Sequence, residues 1–212
     1  VTGFPGGHSG TIVGTVSAGS RVEDCSVSGV INGVSDHVGA LVGTNYGDIR
    51  NCNAQMLVNG GYAAGGLVGH NYAFIVRSWS TGDAYAPTGA AGGFVGRNDG
   101  EITDCFSTGA GHTTADMGGG FIGEMIQGIV TRCYSTGTAT SADGPGGFIG
   151  VNSGAPTVND GFWNVEMSGL STSALGAPLT SADMADAGTY RMWDFTMTWT
   201  WDLQRSQFPI LR

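Results

Sequence analysis

The sequence predicts an all-β fold, a parallel β-helix or β-solenoid of about six coils of about 27 residues each. Two repeating marker columns carry this reading, together with an unusual glycine content. Gly39-Ala40-Leu41-Val42-Gly43 returns as Gly65-Gly66-Leu67-Val68-Gly69 and then as Gly92-Gly93-Phe94-Val95-Gly96. It returns again as Gly119-Gly120-Phe121-Ile122-Gly123 and Gly146-Gly147-Phe148-Ile149-Gly150, so the closing glycines are 26, 27, 27 and 27 residues apart. A second column, Cys25, Cys52, Ser78, Cys105, Cys133 and Gly161, advances by 27, 26, 27, 28 and 28 residues. The chain has 39 glycines in 212 residues, far above the usual share of about 7%. Collagen is excluded because Gly does not fall every third residue. With 41% hydrophobic residues, five Trp and nine Phe, a solvated coil is excluded as well.

Between the markers lie only short Val, Ile, Thr and Phe runs, broken by Gly, Asn, Asp and Ser. Such runs read as about three short strands per coil. No ten-residue segment has the apolar spacing that a leucine-rich or ankyrin helix requires. Coils stacked about 4.8 Å apart bring equivalent residues into ladders. Leu41, Leu67, Phe94, Phe121 and Phe148 are expected inward as one core ladder, and Ile49, Ile75, Ile102, Val130 and Val158 as a second. The repeated glycines are expected at corners with positive φ. The Asn two positions later (45, 71, 98 and 152, with Met125 in the fourth unit) is expected to bond along its own ladder. The second ladder lies three residues before the Cys column and both point inward, which implies a bend between them. The residue before the Cys column is Asp24, Asn51, Arg77, Asp104, Arg132 and Asp160 in turn. These are expected outward, and the alternating signs of Arg77, Asp104, Arg132 and Asp160 read as an exposed register device of about 0.2–1 kcal/mol per pair.

The Cys ladder (Cys25, Cys52, Cys105, Cys133) reads as small thiols filling a core corner. The alternative is bridging of neighbours, Cys25 to Cys52 and Cys105 to Cys133, which in-register side chains would strain. After the Cys column comes Ser26, Asn53, Trp79, Phe106, Tyr134 and Phe162. If Cys points in, the stripe Trp79, Phe106, Tyr134, Phe162 points out and is the candidate interface or ligand surface. The tail offers a cover. Thr180 to Ala187 reads as a short helix with Thr180 as N-cap, and Phe195 to Trp201 alternates as a half-buried strand. Residues 1–168 are therefore assigned to the solenoid. Residues 169–212 are assigned to a C-terminal cap packed on the last coils, within the same structural unit. The N-terminal segment Val1–Ser9 is too short for an evident cap, and an open solenoid end invites another subunit.

The unit Gly92 to Gly109, G-G-F-V-G-R-N-D-G-E-I-T-D-C-F-S-T-G, resembles the GLUG motif of bacterial secreted and surface proteins. That motif occurs in adhesin-like repeat regions and in non-catalytic parts of some immunoglobulin-cleaving proteases. The resemblance spans about residues 10 to 165. Phe162-Trp163-Asn164, Trp193-Asp194-Phe195 and Phe208-Pro209 also resemble the segment that closes such arrays. Met125 at the Asn place and Ser78 at the Cys place depart from the pattern. The resemblance implies an exported β-solenoid with a structural or adhesive role and carries no catalytic residue across.

With 8 Arg, no Lys and 17 acidic residues the net charge is −9, which argues against nucleic acid or an anionic membrane surface as partner. No run approaches the ~18 apolar residues of a membrane span. A first residue other than Met and four Cys fit a mature, exported chain. No H-E-x-x-H occurs, and His112-Thr113-Thr114-Ala115-Asp116 lacks a second His. His8, His37, His70 and His112 fall at unrelated points of the repeat, so no metal, cofactor or catalytic site is expected. The expected function is a non-enzymatic extracellular or cell-surface protein, structural or adhesive, assembling head-to-tail into a filament or binding an extracellular ligand. Competing readings are a carbohydrate- or protein-binding adhesin module using the aromatic stripe, a polysaccharide-cleaving enzyme, and an ice-binding face on Thr81, Thr108 and Thr136.

Overall fold

In the computed structural model, which describes residues 6–202, 204 and 206–212, the chain winds as a parallel β-solenoid of about six coils. One coil shows the plan. His37–Gly39, Val42–Asn45, Asp48–Arg50 and Asn53–Asn59 follow one another around the axis. Each pairs in parallel with its counterpart one coil on, for example Val68 with Val95 and Asn71 with Asn98. The strands form three sheets running along the axis, of 5, 6 and 13 strands among the described residues. Four strands per coil replace the three expected, because the Asp48–Arg50 and Asn53–Asn59 arms meet at a corner within one sheet.

That corner is where the sequence placed its bend. Asp24, Asn51, Arg77, Asp104, Arg132 and Asp160 all adopt left-handed backbone, with φ between 48° and 54°. A single left-handed residue between two extended arms turns the chain so that Ile49 and Cys52 both point inward and are buried. Asn and Asp tolerate this conformation best, and they hold four of the six positions. At the first five bends the exposed carbonyl is met by the following side chain, while the sixth is followed by Gly161. Cys52 Sγ donates to the Arg50 carbonyl at 3.0 Å, and Ser78 Oγ donates to that of Val76 at 3.0 Å. Ser replaces Cys there because both are small hydrogen-bond donors.

The repeated glycines have a different task from the one expected, and this corrects the sequence reading. None of those in the five-residue pattern has positive φ. They are required by close approach. A Cβ at Gly65, Gly92, Gly119 or Gly146 would lie 1.9, 2.0, 1.9 or 1.9 Å from the carbonyl oxygen three residues on. The tight turn into the next strand leaves no room for any side chain.

Leu41, Leu67, Phe94, Phe121 and Phe148 are fully buried. The rings stack almost parallel, Phe94 on Phe121 at 4.8 Å and Phe121 on Phe148 at 4.9 Å. Ile49, Ile75, Ile102 and Val130 form the second buried ladder, with Val158 half-buried at its end. Asn45 donates to Asn71 and Asn71 to Asn98, each at 2.8 Å, and Met125 ends the chain of amides. The four cysteines are free thiols, three of them buried.

The C-terminal end is closed by its own chain. Gly147 N–H donates to the Thr172 carbonyl, Ala174 N–H to that of Ile149, and Ala177–Leu179 pairs in parallel with Phe162–Asn164. The expected helix is real but short, Ser181–Met184, held by a reciprocal capping box between Thr180 and Asp183. Asp186 then caps a separate 3-10 turn, Ala187–Tyr190. The expected strand over Phe195–Trp201 is corrected. Only Trp199–Thr200 is extended, pairing antiparallel with Ile210–Leu211. Residues before it form a turn on the Asp194 carboxylate, which accepts from Thr196 N–H and Met197 N–H at 2.9 and 3.1 Å. Local side-chain bonding of this kind outcompetes a ladder with no neighbour to pair with. Residues 1–5 of the N-terminal segment lie outside the described residues.

Candidate functional site

Two residues past the left-handed corner, each coil turns a side chain away from the main core. Coils one and two place Ser26 and Asn53 there, and the next four place Trp79, Phe106, Tyr134 and Phe162. Trp79 stacks on Phe106 at 5.9 Å and 9°, and Phe106 on Tyr134 at 5.1 Å and 4°. The tail then folds over the column. Trp199 tilts against Phe106 and Tyr134, Trp193 lies on Tyr134 and Phe162, and Phe208 meets Tyr134 edge-on. The Tyr134 hydroxyl donates to the Pro209 carbonyl at 2.9 Å, and burial pushes its pKa well up. Phe106 is 7% exposed and Tyr134 1%, whereas Trp79 and Phe162 stay half-buried. The expected outward stripe is thus the floor of a second core, and its exposed portion is narrowed to the Trp79 end.

The charge column is corrected in the same region. Asp104 is 7% exposed and carries three hydrogen bonds. Arg132 Nε and Nη2 donate to its two oxygens at 2.7 and 2.8 Å, and Trp199 Nε1 donates at 3.0 Å. The carboxylate in turn raises the Arg132 pKa. Arg77 instead reaches back one coil to Asn51 Oδ1 at 3.0 Å. Asn51 passes a bond on to Asp24 at 3.1 Å. Among the described residues the column therefore holds one ion pair, Asp104–Arg132, in place of an alternating series. The tail excludes water from Asp104, so the pair anchors the cap.

Two clefts flank Trp79. One, of about 770 Å³, runs between Thr81, Thr108 and Thr136 on one side and Ser206 to Leu211 of the tail on the other, with the edges of Phe106 and Tyr134 as floor. The threonine column expected to compete as an ice face is the wall of this cleft, with Thr136 buried. The other, of about 510 Å³, lies on the far side of Trp79 over Asn53, Ser26 and the Asp24–Asn51–Arg77 chain.

A histidine cluster was missed in the sequence, and the expectation that the histidines fall at unrelated points is corrected. His8 and His37 are register partners on coils one and two. They escaped because their separation is 29 residues, outside the steps of the two marker columns, a step shared by Val13 and Val42 on the adjoining strand. Their rings stack at 4.9 Å, and Thr44 Oγ1 bonds both Nδ1 atoms at 2.8 and 3.0 Å. His70 meets His37 edge-on at 4.8 Å and bonds Asp99 at 2.7 Å. Burial, then the neighbouring His70 and His8, lower the His37 pKa to about 4. Among the described residues no three His, Cys, Asp or Glu are grouped so as to hold a metal ion. No described helix is long and apolar enough to cross a membrane.

Fold and column together define the class: a parallel β-solenoid whose coils carry a lateral aromatic column roofed by the C-terminal segment. Within that class the chain carries GLUG repeats, matching the GLUG motif at residues 35–59 and 88–113, the second and fourth coils. A solved structure from Bacteroides ovatus, provisionally assigned as an immunoglobulin A1 protease, shares the fold with a TM-score of 0.65. It is 17% identical over 91% of this chain and 75% of its own, and the likeness concerns the fold. No curated protein sequence matches the chain.

Proposed function

We propose that this protein is a non-enzymatic extracellular solenoid with a structural and adhesive role, a rigid shaft that displays a binding surface. The observation that carries the reading is side-chain bonding from coil to coil. It runs through Asn45, Asn71 and Asn98, and through the pairs Ser26–Asn53, Asn59–Asn32 and Asp104–Arg132. Such bonds are broken by any bend or slip between coils, so they stiffen the shaft at the cost of adaptability. The occurrence of the motif in secreted and surface proteins supports an extracellular setting. Self-association has its best support at the N-terminal coil. Among the described residues, its strands His8–Ser9, Val13–Val16 and Arg21–Glu23 have a neighbour on one side only. The opposite end is occupied by residues 172–179, which a head-to-tail filament would have to displace.

Beads coated with the chain should be retained on epithelial cells or mucin through washing. Retention no better than that of albumin-coated beads would remove the adhesive role. The solenoid neighbour from Bacteroides ovatus makes immunoglobulin A1 the substrate to try. We expect its heavy chain to stay intact on prolonged incubation with the protein, and cleavage would overturn the non-enzymatic reading. A second reading, ligand binding by the aromatic column, is favoured by Trp79, whose register partner on coil two is not a ring.

A further inference from the structure

The aromatic column stops abruptly. Trp79 has a ring stacked on its coil-four side, and its plane lies within 9° of that ring. Its other face therefore looks along the solenoid axis toward coil two. There the register partner is Asn53, and beyond that Ser26. Rings in this column recur one coil apart, so replacing two of them by an amide and a hydroxyl removes a slab about one ring thick per rung. The described residues of the tail do not refill the space. Met197, Thr198 and Leu211 stand at its border and roof it. The result is the cleft of about 510 Å³ described above, within the range of roughly 300–1,000 Å³ found for small-molecule sites.

Its polar groups are arranged around the indole face and are only partly used. Asn53 accepts the Ser26 hydroxyl at 2.7 Å through Oδ1, and its Nδ2 has no partner among the described residues. Arg77 spends Nε on Asn51, which leaves both terminal nitrogens without a partner among the described residues. Asp24 accepts from Asn51 through one oxygen, and the other is unused among the described residues. Arg212, at the rim, is committed to the carbonyls of Trp199 and Phe195. The unspent set is thus two amide hydrogens, a guanidinium fork and a carboxylate oxygen, with Arg77 and Asp24 balancing in charge. A flat apolar face ringed by donors and an acceptor matches a pyranose. Its axial C–H groups pack on the electron-rich indole, and its equatorial hydroxyls both donate and accept.

We infer that the cleft beside Trp79 is a subsite for an uncharged pyranose ring, stacked on the coil-two face of the indole with hydroxyls on Asn53, Arg77 and Asp24. This rests on the adhesive reading and names its ligand chemistry as a surface glycan. One ring with a few exposed hydrogen bonds binds with a Kd on the order of millimolar. Tight attachment then comes from many copies on one surface.

The test is a titration of the ¹⁵N-labelled chain with methyl glycosides of glucose, galactose, mannose and N-acetylglucosamine, read at the indole N–H resonances. Trp79→Phe assigns the Trp79 signal. We expect it to shift saturably with at least one glycoside. The Trp199 and Trp163 signals should stay in place, since their N–H groups are held by Asp104 and the Leu170 carbonyl. Asn53→Ala should weaken binding at least fivefold and Trp79→Ala should abolish it, with unmoved Trp163 and Trp199 signals verifying the fold of each variant. Absence of a shift with all four glycosides up to about 100 mM overturns the subsite. A response to adenosine or uridine without one to glycosides overturns the sugar assignment. Equal affinity in Asn53→Ala does so too. Bead adhesion measured in parallel separates the two readings: adhesion without sugar binding sinks only the subsite, and sugar binding without adhesion sinks only the adhesive role.

Discussion

Gly92→Ala distinguishes two roles for the glycines of this repeat. Gly92 is not in left-handed backbone, so its torsions admit alanine. Where space is available, such a replacement stabilises by about 0.4–1 kcal/mol through the unfolded chain. Space is absent here. The new Cβ would sit 2.0 Å from the Val95 carbonyl oxygen, 2.7 Å from Gly123 N and 2.9 Å from the Phe121 carbonyl oxygen. The Val95 carbonyl would have to retreat by roughly 1.5 Å to reach ordinary contact. Two of the three obstructions belong to the next coil, which is fixed by its own ladder. Overpacking against side chains costs about 1–3 kcal/mol, and backbone on two coils yields less, so we expect a loss of about 3 kcal/mol or more. That corresponds to a fall in Tm on the order of 6–12 °C for a chain of this size. Asp160→Gly is the companion. It sits at φ 51° and is exposed, so strain relief and added chain entropy should nearly cancel, within about 1 kcal/mol. Urea unfolding followed by tryptophan fluorescence measures both. Gly92→Ala within about 1 kcal/mol of the parent would refute the close-approach account.

Three further outcomes are expected. Removing residues 180–212 strips Trp193, Trp199 and Phe208 from Phe106 and Tyr134, so the truncated chain should bind a hydrophobic dye and aggregate; a monodisperse, dye-silent product would refute the cap. His37, with a folded-state pKa of about 4 against the ordinary 6.5, is protonated first in the unfolded chain. Stability is therefore complete above about pH 6.5 and falls as the pH drops toward 4, by about 1 kcal/mol after allowance for the half-open site. His37→Gln should flatten that slope, and an unchanged profile from pH 7 to 4 counts against it. Burial raises Cys52 to about 11 and Cys105 well above its ordinary value. A thiol reagent at pH 8 should thus modify half-buried Cys25 quickly and the other three slowly, whereas fewer than four thiols in the denatured chain would reveal a bridge.

Much of the fold was legible because a solenoid gives equivalent residues equivalent surroundings. Leu41, Leu67, Phe94, Phe121 and Phe148 share one buried position, and their recurrence on the chain is their stacking in space. The bend was legible too, since Ile49 and Cys52 cannot both face inward on a straight strand. Other features had no periodic signature. His8 and His37 share a column across a 29-residue step that a turn insertion had displaced from the period. Phe195 to Trp201 alternates as a strand does, yet the Asp194 carboxylate turns most of it.

The sequence by itself determined the period, the membership of the core, cysteine and asparagine ladders and the inward face of each coil, because those depend on contacts between a residue and its own repeat. Only the tertiary structure decided that the repeat glycines answer to close backbone approach. Nothing else could show which way Arg77 and Arg132 reach, or that the aromatic stripe is roofed except beside Trp79. Those outcomes turn on contacts outside the repeat, such as Trp199 on Asp104 across 95 residues. No local pattern encodes such a contact, since its partners share no period and meet only after the coils have stacked.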